Sequence, residues 1–124
     1  MAPISVTLAR RDPPAAVIAL VGEHDAYSSE RLKNELIVLL NEGQRIVVDL
    51  RDTSFLDSTA LGVLLSARHE AERKGLGFAL VLADGFTQVH QILSLTGLGS
   101  RFASFDKVND ALSAVSPTHS FEAA

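Results

Sequence analysis

The chain changes from an apolar strand to an apolar-periodic helix within DLRDTSFLDSTALG, residues 49–62. The β-branched run Ile46-Val47-Val48 predicts a central strand, and leucines at helical spacing predict a helix over residues 58–74. Ser58 follows Asp57 at the predicted start of this helix. The first N–H groups of a helix lack an intrahelical acceptor and lie at the positive end of its dipole, so added negative charge is tolerated there. This serine is therefore either part of an ordinary helix start, where Asp57 or Ser58 accepts from the first N–H groups, or a phosphorylation switch.

Two strands and a helix are predicted before this stretch. Residues 5–10 alternate as an outer strand does, and residues 15–21 form a nearly unbroken apolar run, as expected for a strand buried on both faces. Ser28 or Ser29 can cap the helix that follows, and Gly43 can end it. The apolar face of this helix consists of Leu32, Leu36, Leu39 and Leu40.

The pattern of strands and helices continues after the stretch. A buried strand is predicted over residues 78–83, a third helix ends at Thr96-Gly97, a short strand covers residues 102–105, and a last amphipathic helix covers residues 108–115. The order β-β-α-β-α-β-α-(β)-α implies βαβ crossovers and a largely parallel sheet, which the first hairpin makes mixed. We therefore predict one α/β domain over residues 1–115, with residues 116–124 as a flexible tail.

Composition excludes several classes of function. The 124 residues carry a net charge of −4, and the eleven basic residues are scattered, so nucleic acid and anionic lipid are poor candidates for the partner. Cysteine is absent, which rules out disulfides, thiol catalysis and cysteine metal sites. No signal core and no apolar run approaching the roughly 20 residues of a membrane span is present, so we expect a cytoplasmic protein.

Acidic residues follow two of the predicted strands. Asp25 comes after the second strand, and Asp49, Asp52 and Asp57 come at or after the end of the third. Parallel strands would bring these acids to one sheet edge, where open α/β sheets place their sites. These acids could form a magnesium site with a phosphoaspartate, as in a response-regulator receiver. Solvated turn acids are the simpler interpretation.

The histidines offer little support for hydrolysis. A Ser-His hydrolase would need a G-x-S-x-G turn, which does not surround Ser58. His69 is eleven residues further along the same helix, so about 16 Å would separate it from Ser58, too far for proton transfer. His24 lies near the same edge without an evident orienting partner, and the remaining histidines are His90 and His119.

With these residues in view, the chain resembles a STAS domain, in particular a bacterial anti-sigma-factor antagonist, from about Ser5 to Val115. The motifs that carry the resemblance are Asp49-Leu50 followed by Phe55-Leu56-Asp57-Ser58 and Leu61-Gly62; Gly22-Glu23-x-Asp25; and Ile92-Leu93 with Leu95-Thr96-Gly97-Leu98 followed by Phe102. Their order and spacing match the family's pattern. The resemblance implies a mixed sheet with helices packed mainly against one face.

The resemblance also implies a function. The unmodified antagonist of this family binds an anti-sigma factor that is itself a serine kinase, and so frees the sigma factor. Phosphorylation at the position of Ser58 dissociates the complex. A serine phosphatase then removes the phosphate. Ser58 is then the phosphoacceptor, with Thr59 as a minor candidate, on a non-enzymatic domain that retains no metal or cofactor. The expected partner-binding residues are Asp25, Asp57, Ser58, Thr59, Leu61 and Gly62.

Three positions depart from the family's pattern. Thr59 stands where a second serine is common, Ala60 replaces a glycine and could hinder the approach of a partner's backbone, and His24 stands at a usually apolar position where it could meet the partner. Two other family contexts stay open as alternatives, namely a STAS module of a stress-signalling assembly and a nucleotide-binding STAS domain.

Overall fold

The computed structural model describes residues 3–117 and contains a five-stranded sheet, a separate pair of short strands and four α-helices. The strands are β1 (Ile4–Arg11), β2 (Pro14–Leu20), β3 (Gly22–His24), β4 (Arg45–Asp49), β5 (Thr53–Leu56), β6 (Phe78–Val81) and β7 (Ala103–Phe105). The helices are α1 (Ala26–Asn41), α2 (Ser58–Arg73), α3 (Gln88–Thr96) and α4 (Val108–Val115), with a 3-10 turn at Gly99–Arg101. The predicted order of elements is confirmed, with β3 and β5 added to it.

The main sheet has the strand order β1-β2-β4-β6-β7. β1 pairs with β2 in antiparallel fashion, whereas the pairs β2–β4, β4–β6 and β6–β7 are parallel. This confirms the predicted mixed, mostly parallel sheet with β4 at its centre. Parallel strands need crossover connections, and α1, α2 and α3 supply them.

Hydrophobic cores lie on both faces of the sheet. The larger core lies under α1, α2 and α3, and the smaller one lies under α4. In the run Ile46-Val47-Val48, the two outer residues enter the larger core and Val47 enters the smaller one, which explains why the run lacks polar residues. Gly77 lies against α4, since a Cβ atom there would come within 2.7 Å of Val115. The helices therefore pack mainly on one face, as the resemblance implied.

The strands β3 and β5 form a small parallel sheet at the carboxyl end of the main one. In its register His24 pairs with Leu56, and the N–H of Asp57 donates to the carbonyl oxygen of His24 at 3.1 Å. These strands leave no recognisable pattern in the sequence, because three or four residues are too few to show a period of two. This pair places Asp25 and Asp57 side by side, each one residue beyond its strand.

The start of α1 differs from the prediction. Asp25, not Ser28 or Ser29, is the N-cap, and its carboxylate accepts from the N–H of Tyr27 at 2.9 Å. Ser28 completes a capping box by accepting from the N–H of Asp25 at 3.2 Å. Both serines are buried inside the first turns of the helix. An aspartate directly after β3 starts the helix three residues earlier than the serines would.

The ends of α1 and α3 agree with the prediction. Gly43 follows α1 with φ 76°, and Gly97 caps α3 with φ 70°, a left-handed conformation that glycine adopts without steric cost. At the end of α4, the Ser116 hydroxyl donates to the carbonyl oxygen of Leu112 at 2.8 Å. Residues 118–124, most of the predicted tail, lie outside the described residues. Between residues 3 and 117, no helix is both long enough and apolar enough to cross a membrane.

Candidate functional site

Ser58 is the first residue of α2, and its side chain is exposed. Asp57 is the N-cap, because its Oδ1 accepts from the N–H of Ala60 at 2.9 Å. Within residues 3–117, no group forms a hydrogen bond with the Ser58 hydroxyl. The choice between Asp57 and Ser58 as the cap is thus decided in favour of Asp57, which leaves the serine oxygen open to solvent.

The first turn of α2 also has free backbone donors. The N–H groups of Ala60 and Leu61 are bound by the side chain and the carbonyl oxygen of Asp57, at 2.9 Å each. In the described part of the chain, the N–H groups of Ser58 and Thr59 have no acceptor. Two unpaired N–H groups at the positive end of a 16-residue helix can hold an anion on the neighbouring serine oxygen.

The acids at this sheet edge have separate roles. Asp25 and Asp57 cap the neighbouring helices α1 and α2. The carboxylate of Asp49 instead accepts from Nε and Nη2 of Arg51, at 2.9 Å each. Burial raises the pKa of Asp49, but the hydrogen bonds from Arg51 outweigh it and hold this pKa below its usual value. Asp52 is exposed, and residues 3–117 contain no group of three acids or histidines arranged to hold a metal ion.

His24 lies beneath the site rather than at its surface, so the expectation that it could meet a partner is wrong. Its side chain is fully buried, with Nε2 3.2 Å from the Val21 carbonyl oxygen and Nδ1 3.1 Å from the Ser28 hydroxyl. A carbonyl oxygen only accepts, so Nε2 carries the proton and Nδ1 accepts from Ser28. Burial lowers the pKa of His24, partly opposed by the Val21 carbonyl and by the charge of Asp25.

The other predicted partner-binding residues divide into two groups. Leu61 is 1% exposed and packs in the larger core, so the prediction that its side chain contacts a partner needs correction. Ala60 is also fully buried, and its methyl group points into the core instead of obstructing a partner. Thr59 and Gly62 are exposed and line an open groove of about 630 Å³ between α1 and α2. Helical spacing explains the division, because positions three and four apart share a face.

Gln88, at the start of α3, contacts the segment that precedes Ser58. Its Oε1 accepts from the N–H of Leu56 at 2.7 Å, and its Nε2 donates to the carbonyl oxygen of Leu56 at 3.0 Å. This residue was not among those predicted, because a glutamine at a helix start carries no signal that links it to a strand 32 residues away. The Leu56–Ser58 segment is therefore attached to β3 on one side and to α3 on the other.

The sequence of the chain matches both a protein-family model and a named bacterial relative. A model of the STAS domain family matches residues 7–111. The anti-sigma-B factor antagonist of Listeria monocytogenes is 32% identical over 96 residues, which cover 77% of this chain and 82% of the relative.

Solved structures match nearly the whole chain. An anti-sigma factor antagonist from Mycobacterium paratuberculosis superposes with a TM-score of 0.75 at 25% identity, covering 91% of this chain and 94% of the other. The Bacillus cell fate determinant SpoIIAA, solved in its phosphorylated form, superposes with a TM-score of 0.67 at 22% identity, covering 92% and 100%. At 22% identity, the similarity to SpoIIAA shows a shared fold alone.

Proposed function

The chain belongs to the STAS domain family, and from this premise we propose that it is an anti-sigma-factor antagonist switched by phosphorylation of Ser58. The unmodified chain binds an anti-sigma factor that is also a serine kinase, and so releases the sigma factor in the cytoplasm. The kinase phosphorylates Ser58 and the complex dissociates, until a serine phosphatase restores the free hydroxyl. The chain catalyses no step of this cycle and is the substrate of both enzymes.

The hydroxyl of Ser58, which is exposed and has no hydrogen-bond partner among residues 3–117, is the observation that carries this proposal. A kinase must bring the γ-phosphate of ATP in line with the acceptor oxygen, which requires an oxygen that solvent and partner can reach. Because Asp57 already caps α2, phosphorylation of Ser58 would leave the cap hydrogen bond to Ala60 in place. Thr59, also exposed, is the neighbouring alternative acceptor.

A phosphate at this position is compatible with the fold and opposed to binding. It carries about −1.5 to −2 charges. The helix dipole and the N–H groups of Ser58 and Thr59, which have no acceptor in the described part of the chain, stabilise it in water. A partner docked over Ser58 would have to desolvate this charge beside the carboxylate of Asp57. A cost of about 2.7 kcal/mol already weakens binding a hundredfold. The modification therefore changes affinity without unfolding the domain.

The proposal is tested by incubating the chain with its cognate anti-sigma factor, ATP and Mg²⁺, followed by intact mass measurement and site mapping. We expect one phosphate on Ser58, no label on Ser58→Ala, and wild-type labelling of Thr59→Ala. Ser58→Ala should still bind the anti-sigma factor in calorimetry, which shows that the fold and the surface persist. Label on Ser58→Ala equal to that on the wild type would refute the assignment.

A further inference from the structure

The outer edge of β5 is closed by a side chain instead of a strand. β5 pairs with β3 along one edge, where the N–H of Asp57 donates to His24. The N–H and the carbonyl of Leu56 point to the opposite edge, and the carboxamide of Gln88 bonds both, at 2.7 and 3.0 Å. Leu56 is fully buried, so water cannot take over these bonds. Gln88 thus occupies the place that a peptide group of a third strand would take.

The chemistry of this contact is specific to a carboxamide. A carboxamide offers one acceptor and one donor in a fixed plane, which matches the N–H and C=O of a peptide group. A carboxylate lacks the donor, and a thioether of the same length offers neither a strong donor nor a strong acceptor. Of the 20 amino acids, only the side chain of glutamine has this pair of groups at this length, so the contact depends on Gln88 itself.

The contact lies two residues from Ser58. Leu56 is held by Gln88 on one side, and Asp57 is held by His24 on the other, so the turn into α2 is fixed by β3 and by α3. Ser58 itself has no side-chain hydrogen bond in the described part of the chain, and its orientation depends on this turn. Misplacement of a reacting group by about 1 Å can cost two orders of magnitude in rate.

We propose that Gln88 is a positioning residue for phosphorylation, which fixes the Leu56 peptide and thereby the direction in which the Ser58 hydroxyl is presented. This inference rests on the proposed function of Ser58 as phosphoacceptor. Loss of the two hydrogen bonds leaves the docking surface in place and widens the range of orientations of the hydroxyl. The rate of phosphoryl transfer then falls, and the affinity for the kinase hardly changes.

The first test measures amide hydrogen exchange in the protein alone, by NMR. Gln88→Met removes both hydrogen bonds and keeps the length of the side chain. Gln91→Met is the matched control, since Gln91 is exposed on the same helix. We expect exchange at the Leu56 amide to become at least tenfold faster in Gln88→Met and to stay at the wild-type rate in Gln91→Met. Equal exchange rates of the Leu56 amide in the two variants would overturn the role of Gln88.

The second test measures the kinetics of Ser58 labelling by the cognate anti-sigma factor kinase. We expect Gln88→Met to lower kcat at least tenfold with KM within twofold of the wild type, and Gln91→Met to change neither. A merely structural role would reduce the concentration of folded substrate and raise the apparent KM instead. If Gln88→Met folds poorly, Gln88→Glu takes its place in this measurement. It keeps the size and the acceptor oxygen but loses the donor, so we expect a kcat below that of the wild type.

The outcomes separate this inference from the function on which it rests. If the wild type is labelled on Ser58 and both Gln88 variants keep its kcat, the positioning role is overturned and the proposed switch survives. If wild-type Ser58 is not labelled at all, both proposals fall. A fall in kcat confined to the Gln88 variants supports both.

Discussion

Helices α1 and α2 start in the same way, but the serine in the first turn is buried in α1 and exposed in α2. Each follows a strand of the small parallel sheet, and each is capped by an aspartate, Asp25 in one and Asp57 in the other. In α1 the hydroxyl of Ser28 is buried and hydrogen-bonded to the Asp25 backbone and to His24. In α2 the hydroxyl of Ser58 is exposed and unbonded within the described residues.

The difference comes from the position of each serine relative to its cap. Ser28 is the third residue of α1, nearly one turn beyond Asp25, so its side chain folds back onto the cap and completes a capping box. Ser58 is the first residue of α2, and the carboxylate of Asp57 already binds the N–H that a capping hydroxyl would take. An aspartate immediately before the serine therefore leaves the hydroxyl open to solvent.

The largest expected effect concerns charge on the open serine. Ser58→Asp should weaken binding to the cognate anti-sigma factor roughly a hundredfold, about 2.7 kcal/mol in calorimetry. It should leave the free energy of unfolding unchanged or raise it by about 0.3–1 kcal/mol, because an acid at a helix N-terminus is favourable. Ser113→Asp is the control, since Ser113 is exposed on α4, on the other face of the sheet. Equal affinity of the wild type and Ser58→Asp would contradict the switch.

The two serine hydroxyls should contribute differently to stability. Ser28→Ala leaves the N–H of Asp25 and Nδ1 of His24 without their partner in a buried place, so we expect a loss of about 1–3 kcal/mol of stability. Ser58→Ala removes no hydrogen bond within the described residues and should change stability by at most about 0.5 kcal/mol. Chemical denaturation measures both, and similar losses in the two variants would show that the two serines are equivalent.

The smallest effect is a pH dependence that comes from His24. Its pKa is lower in the folded state, so the unfolded chain binds the proton more readily and stability falls as the pH drops below the ordinary value of about 6.5. The contribution of neutral His24 to the free energy of unfolding is fully present above that pH, and it should decrease by less than about 1 kcal/mol between pH 6.5 and 5.5. Denaturation curves should show this slope in the wild type and in the control His69→Gln, where the histidine is exposed. If the free energy of unfolding decreased as steeply with falling pH in His24→Gln as in the wild type, groups other than His24 would be responsible.

The sequence predicted most of the fold because its signals are local. The run Ile46-Val47-Val48, the leucine spacing of α1 and the glycine after α3 each identify an element from a few neighbouring residues. β3 and β5 were missed because they are too short to show a period. The cap of α1 was misplaced by three residues, because Asp25, Ser28 and Ser29 are all good capping residues and only the pairing of β3 with β5 makes Asp25 the first available.

The sequence by its residue spacing fixes the order of the longer elements and the junction at which Asp57 and Ser58 meet α2, since both depend on one continuous segment. Tertiary packing, by contrast, places His24 in the interior and Leu61 in the core, and brings Gln88 against Leu56. These outcomes depend on contacts between segments that are far apart in sequence, such as the 32 residues between Leu56 and Gln88. Residue types and local periods do not encode such contacts, so packing of the strands and helices has to create them.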